Sequence, residues 1–304
     1  MRRSVALALV LWLCATGSGC AQTRTLGGDT LVVRSATGLE LRVAANPDPA
    51  LRVVLPGSDT ADRAIEVLFP EHVTALQHGR AVAEQLYMFR RGTRGERPRW
   101  RKAATALEYE RELPGGVHLL ARATLEDDGV RFHYEFRNQS AVAYDMIYAV
   151  TDPRLTSIFH DDRLERTFVH HRDGFDLLAS DTPARLTMPI EQWLPARYLA
   201  SFRWAVPARL VERRDDGITY YNKSRPVDEP FIATLSSDKA WVVASFAREP
   251  GNVWSNPELT CQHVDSQTSL APRGSAVVEM KMLVVRGSLD EALRRSQQQR
   301  ASLR

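Results

Sequence analysis

Apolar and polar residues alternate with a period of two along most of this chain. In Gly129–Asn138, GVRFHYEFRN, Val130, Phe132, Tyr134 and Phe136 fall on one face. Arg131, His133, Glu135 and Arg137 fall on the other, the pattern of a half-buried antiparallel strand. The same rhythm recurs in TLVVRS, GLELRVAA, HLLARATLE, AYDMIYAV, ARLVER, GITYYNK, FIATLSS, WVVASFA and AVVEMKMLVV. Turn-forming clusters separate these runs: Asp-Asp-Gly twice, Asn-Pro-Asp-Pro, Pro-Gly-Gly and Pro-Arg-Gly. Many short strands with little helical periodicity predict an all-β fold, a large antiparallel sandwich occupying residues 22–287 as a single domain.

A helix is expected clearly at one place, the C-terminal segment 288–304. There Ser288 and Glu291 form a capping box ahead of Leu289, Ala292 and Leu293, and the Gln-rich end, Gln297–Gln299, is expected to fray. Weaker helical signals fall near Asp62–Val67 and Ala81–Tyr87.

The N-terminus breaks the alternation. Arg2 and Arg3 precede an uncharged apolar run, Ser4–Ala15, and then small residues, which reads as a secretory signal over residues 1–21. Gly19 and Ala21 fit cleavage after Ala21, whereas Gly19–Cys20 resembles the end of a bacterial lipobox, which would leave Cys20 acylated. The expectation is export, periplasmic or extracellular, with a lipid anchor at Cys20 as the second exit and no transmembrane span after processing.

Composition narrows the class further. Removing the signal takes away two of the 40 basic residues and none of the 37 acidic ones, so the mature chain is close to neutral. No charge surplus marks a nucleic-acid partner. Of three cysteines, Cys14 leaves with the signal and Cys20 is removed or acylated. Cys261 then has no partner for an internal disulfide, so stability must come from the core.

The central stretch HLLARATLEDDGVRFHYEFRNQSAVAYDMIYAV runs strand, turn, strand, then Asn138–Gln139–Ser140 into another strand. With Leu270–Ala271–Pro272 and the run Ala276–Val285, it resembles galactose mutarotase-like proteins in outline over residues 30–287. The resemblance implies a β-supersandwich, a fold that hosts aldose epimerases, polysaccharide-processing domains and non-catalytic sugar binders. The family's catalytic motifs do not carry over. Where its His should follow the Asn-x-Ser/Thr strand, this chain reads TDPRLTSIFHDD, and the family's catalytic Glu position falls on Thr260. Fold alone leaves function open.

Candidate chemistry concentrates in PELTCQHVDSQTSLAP, residues 257–272. If Thr260–Asp265 is extended, Cys261, His263 and Asp265 share a face. A His beside an Asp is oriented and made more basic, which a general base requires. Glu258, His263, Asp265 and His160 are therefore the candidate catalytic residues. Saccharides present apolar C–H faces, so Trp254 and Trp193, with Asn256 and Arg197 for hydroxyls, are the candidate binding residues. His160, His170 and His171 lack His-x-His or HExxH spacing, so neither a metal site nor another cofactor is expected. The combined expectation is an exported carbohydrate-binding protein, with acid–base chemistry at the anomeric centre as its enzymatic form. The alternative is a non-catalytic cell-envelope protein whose sheet surface serves a protein partner.

Overall fold

The computed structural model describes residues 31–44, 49–57, 63–87, 97–182, 184, 187–193, 195–214 and 217–304. Residues 1–21, where a secretory signal is expected, and Cys20 with its expected acylation lie outside the described residues.

Three sheets make up the described residues. The first has seven strands, ordered Val32–Arg34, Glu40–Val43, Ala50–Val54, Ala64–Gln77, Tyr144–Arg154 and Thr268–Leu270, with Glu84–Tyr87 added beside Ala64–Gln77. The second has nine: Gly174–Leu177, Thr167–His171, Phe231–Leu235, Trp241–Ala247, Ser275–Arg286, Gly129–Asn138, Val117–Glu126, Ala106–Leu113 and Arg101–Ala103. A third sheet joins Val211–Arg213, Thr219–Asn222, Arg197–Ser201 and Asn252–Ser255, and contains one parallel pair. Pairing is otherwise antiparallel, as the alternation predicts. The two segments with weak helical signals carry strands instead, Ala64–Gln77 and Glu84–Tyr87, which pair with each other.

Alternation fixes which face of each strand enters the core. Val117–Glu126 buries every second residue without exception. Val130, Phe132, Tyr134 and Phe136 are all buried, as the pattern of that strand requires. Phe69 from the seven-stranded sheet meets Phe132 and Tyr134 from the nine-stranded sheet at ring-centroid distances of 5.2 and 4.9 Å. The sandwich is therefore closed by interdigitating aromatic rings, each of which removes a large apolar area from water. The Asp-Asp-Gly turn is fixed by sterics. Gly129 has φ +152°, and a Cβ there would lie 2.0 Å from the Met282 carbonyl oxygen.

The C-terminal helix spans Leu289–Arg300, capped by the Ser288 hydroxyl, which accepts from the Glu291 N–H at 3.3 Å. Ala292 and Leu293 pack on the outer face of the nine-stranded sheet, against Phe231, Ala244, Phe246 and Leu283. Its glutamine-rich end does not fray: Gln297 donates to Glu229 and Gln299 donates to Asp128. No described helix is long and apolar enough to cross a membrane.

Candidate functional site

One end of the seven-stranded sheet meets the third sheet, and a cluster of buried charged residues forms there. The strand Tyr144–Arg154 ends in Asp152–Pro153–Arg154. Period two puts Asp152 and Arg154 on one face, and the Arg154 Nε donates to the Asp152 Oδ2 at 2.5 Å. From the paired strand Ala64–Gln77, Glu71 faces Arg154 (Oε1 to Nη2 3.6 Å) and His72 (Oε2 to Nδ1 3.7 Å).

The segment 256–267 supplies the other side. It opens with a turn in which the Asn256 Oδ1 accepts from the Leu259 N–H at 2.8 Å and its Nδ2 donates to the Cys261 Sγ at 3.0 Å. Thr260 then takes the left-handed conformation, φ +47°, fully buried, with its Oγ1 accepting the Asp161 N–H at 2.8 Å. That single inversion re-aims the chain, which continues extended. Gln262 now points into the nine-stranded sheet, reaching the Ser245 and Thr234 hydroxyls and the Val243 carbonyl. Cys261 and His263 face the opposite way, toward Asp152. The backbone of His263 exchanges both hydrogen bonds with Trp254.

At the centre, the His263 imidazole lies flat against the Trp254 indole, with centroids 3.8 Å apart and planes 6° from parallel. Its Nε2 is 3.5 Å from the Asp152 Oδ1, and its Nδ1 is 3.5 Å from the Asp265 Oδ2. Asp265 is held by the Thr151 N–H, which donates to its Oδ1 at 3.2 Å. Both His263 and Asp152 are 2 % exposed. Desolvation opposes a charged imidazole here, but Cys261, Asp265 and Asp152 outweigh it and push the His263 pKa well above its ordinary range. Burial pushes the Asp152 carboxyl up against the pull of His263 and Arg154. Glu71, by contrast, is held ionised by His72, with burial opposing and His263 and Arg154 assisting.

Of the residues singled out from sequence, the structure brings together Trp254, His263, Asp265 and Arg197. Trp254 is half-buried, and the Arg197 guanidinium stands over its ring at 5.8 Å. The side chain of Asn256 is engaged inside its own turn and buried, so it is a structural amide rather than a free hydroxyl partner. Glu258 is exposed on that turn, and among the described residues no hydrogen bond or ion pair joins it to the cluster. His160 is exposed at the far end of the segment, with its Nδ1 near the Leu155 carbonyl (3.3 Å) and the Thr260 hydroxyl (3.5 Å). Trp193 ends the short helix Ile190–Trp193. Sequence reasoning missed Asp152, Arg154, Glu71 and His72. Asp152 and Arg154 carried one signal: a charged pair at i, i+2 closing a strand that is apolar from Met146 to Val150.

The fold has solved relatives. The chain resembles the Slr1438 protein from Synechocystis sp. PCC 6803 over 90 % of this chain and 100 % of that one, with TM-score 0.50 and 11 % identity. It also resembles a galactose mutarotase related enzyme from Lactobacillus acidophilus (84 % and 97 % covered, TM-score 0.48, 10 % identity). A putative aldose 1-epimerase from Escherichia coli K12 follows (85 % and 99 %, TM-score 0.44, 12 % identity). No protein-family model matches the chain, and no curated protein does. At 11 % identity the likeness to Slr1438 is one of fold, and the large antiparallel β-sandwich expected from the sequence is found.

Proposed function

We propose that this chain is an exported carbohydrate-binding protein that holds a saccharide against Trp254, flanked by Arg197, Arg154 and Glu71. One observation carries the reading. A half-buried indole, backed by the stacked His263 ring, sits at the end of a contact chain running His263–Asp152–Arg154–Glu71. A sugar offers an apolar face and a ring of hydroxyls. The indole suits the first, and the guanidinium and carboxylate groups suit the second. His263 is too enclosed to touch a ligand, so its charge acts through Trp254 and Asp152. Glu71, with 34 % of its side chain exposed and held ionised, accepts a hydrogen bond from a bound hydroxyl in this reading. Export rests on the Arg2–Arg3 and Ser4–Ala15 signal, with acylation at Cys20 as the alternative processing.

The test is a glycan array and thermal-shift panel, run beside optical-rotation relaxation of fresh α-glucose. Binding that Trp254→Ala weakens by about tenfold or more supports the reading, on the scale of one lost aromatic contact. Accelerated mutarotation lost in Glu71→Gln adds catalysis. Indifference to every saccharide sinks the proposal in favour of a protein-binding surface, as does binding that survives Trp254→Ala. Mass spectrometry of the mature N-terminus separates cleavage after Ala21 from acylation of Cys20.

A further inference from the structure

We infer that Asp152, Cys261 and His263 form a binding site for a divalent transition metal of the zinc type. The inference stands apart from the carbohydrate reading, because it rests on how three buried donors face one another. A ligand atom from each lies within 4.8 Å of the other two, and all three residues are buried. Cys261 is a free thiol at 0 % exposure. No hydrogen bond reaches the Asp152 Oδ1, although that atom is shut away from water. A buried carboxylate oxygen without a donor is unfavourable, so this one marks a position where a cation compensates it.

The spacing supports a cation rather than a direct ion pair. The His263 Nε2 and the Asp152 Oδ1 are 3.5 Å apart, too long for a good hydrogen bond. It is close to the roughly 3.4 Å edge of a tetrahedron with zinc–ligand bonds of about 2.0–2.1 Å.

Each donor is also oriented from its far side. The Asn256 Nδ2 donates to the Cys261 Sγ at 3.0 Å. Arg154 holds the other oxygen of Asp152 at 2.5 Å. The Asp265 Oδ2 stands 3.5 Å from the Nδ1 of His263, longer than a good hydrogen bond, so its negative charge faces that nitrogen while Nε2 faces Asp152.

Donor chemistry selects the metal class. One thiolate, one imidazole and one carboxylate suit zinc and its neighbours, whereas magnesium and calcium require oxygen sets. Two anionic ligands neutralise a divalent ion. Three protein ligands leave a fourth position for water.

The experiment uses the full mature chain, freed of metal with a chelator and titrated with Zn²⁺ by calorimetry and with Co²⁺ by absorption. One equivalent should bind with a rise in Tm, and Co²⁺ should develop the near-ultraviolet charge-transfer band of a thiolate ligand. Cys261→Ser should abolish that band. Asp152→Asn should weaken Zn²⁺ binding at least tenfold, and Asp265→Asn by roughly 10–100-fold. Glu258→Ala, on the exposed turn, should bind like the parent. Wild-type protein that gives no band at saturating Co²⁺ overturns the inference, as does a band that persists in Cys261→Ser. The wild-type result alone decides the matter even where a variant misfolds, and no sugar enters any readout.

Discussion

Two clusters of buried charge in this molecule are built in opposite ways. Lys281 sits at 1 % exposure in the strand Ser275–Arg286, and its ammonium donates to Glu126, Asp128 and Gln299. An ammonium has three donors, and all three are used. The Asp152–His263–Asp265 cluster is also buried, yet the two carboxylate contacts of its imidazole are each 3.5 Å and it leaves an Asp152 oxygen and the His263 Nδ1 without hydrogen bonds. A saturated cage pins secondary structure: it ties the Asp-Asp-Gly turn, a core strand and the C-terminal helix together. An unsaturated one keeps capacity in reserve, which is the property of a place that takes a ligand.

Breaking the saturated cage should have the largest effect. Lys281→Met leaves Asp128 and Glu126 without their shared cation, with a stability loss of about 3 kcal/mol in urea unfolding. Gln299 then loses one anchor, so amide exchange at residues 297–300 should accelerate toward the frayed end that the sequence suggested. Asp152→Asn, in the unsaturated cluster and without metal, should cost about 1 kcal/mol or less, because it removes a desolvated charge along with the Arg154 bond. A loss as large as that of Lys281→Met would erase the distinction between the clusters.

Acid and base should separate a second pair of sites. Burial raises the Asp181 carboxyl, but the Ser224 backbone and hydroxyl and the Lys223 ammonium outweigh it and bring the pKa to about 2. Its contribution is complete above the ordinary carboxylate value of about 3.9 and is lost as pH falls toward 2. Solvent screening reduces it to the order of 1 kcal/mol. His263 runs the other way. Its folded pKa is raised, so in metal-free protein its contribution is complete below about pH 6.5 and disappears as pH climbs through the folded value. Urea midpoints measured across pH should show both limbs, with Asp181→Asn flattening the acid one and His263→Gln the alkaline one. The smallest effect belongs to the surface. Arg203 and Glu249 are 59 % and 62 % exposed, so Arg203→Ala should change stability by less than about 0.5 kcal/mol.

The sandwich was legible because period-two burial is local information. Val117–Glu126 and Gly129–Asn138 announce their faces residue by residue, and Ser288 with Glu291 announces the helix start. Ala81–Tyr87 was not legible in that way, since pairing of Glu84–Tyr87 onto Ala64–Gln77 overrode a weak helical preference. Even the shared direction of Cys261, His263 and Asp265 followed from alternation. Partnership did not. Asp152 stands more than a hundred residues before His263, and only the convergence of separate strands brings their charges within 3.5 Å.

By itself, then, the amino-acid order determined strand identity, the aromatic core and the capped terminal helix, because each depends on neighbours a few positions away. Tertiary structure alone decided that Glu258 faces solvent, that Asn256 serves its own turn, and that Asp152 lies opposite Cys261 and His263. Those outcomes depend on the left-handed turn at Thr260 and on sheet-to-sheet packing, where distance along the chain carries no information about distance in space.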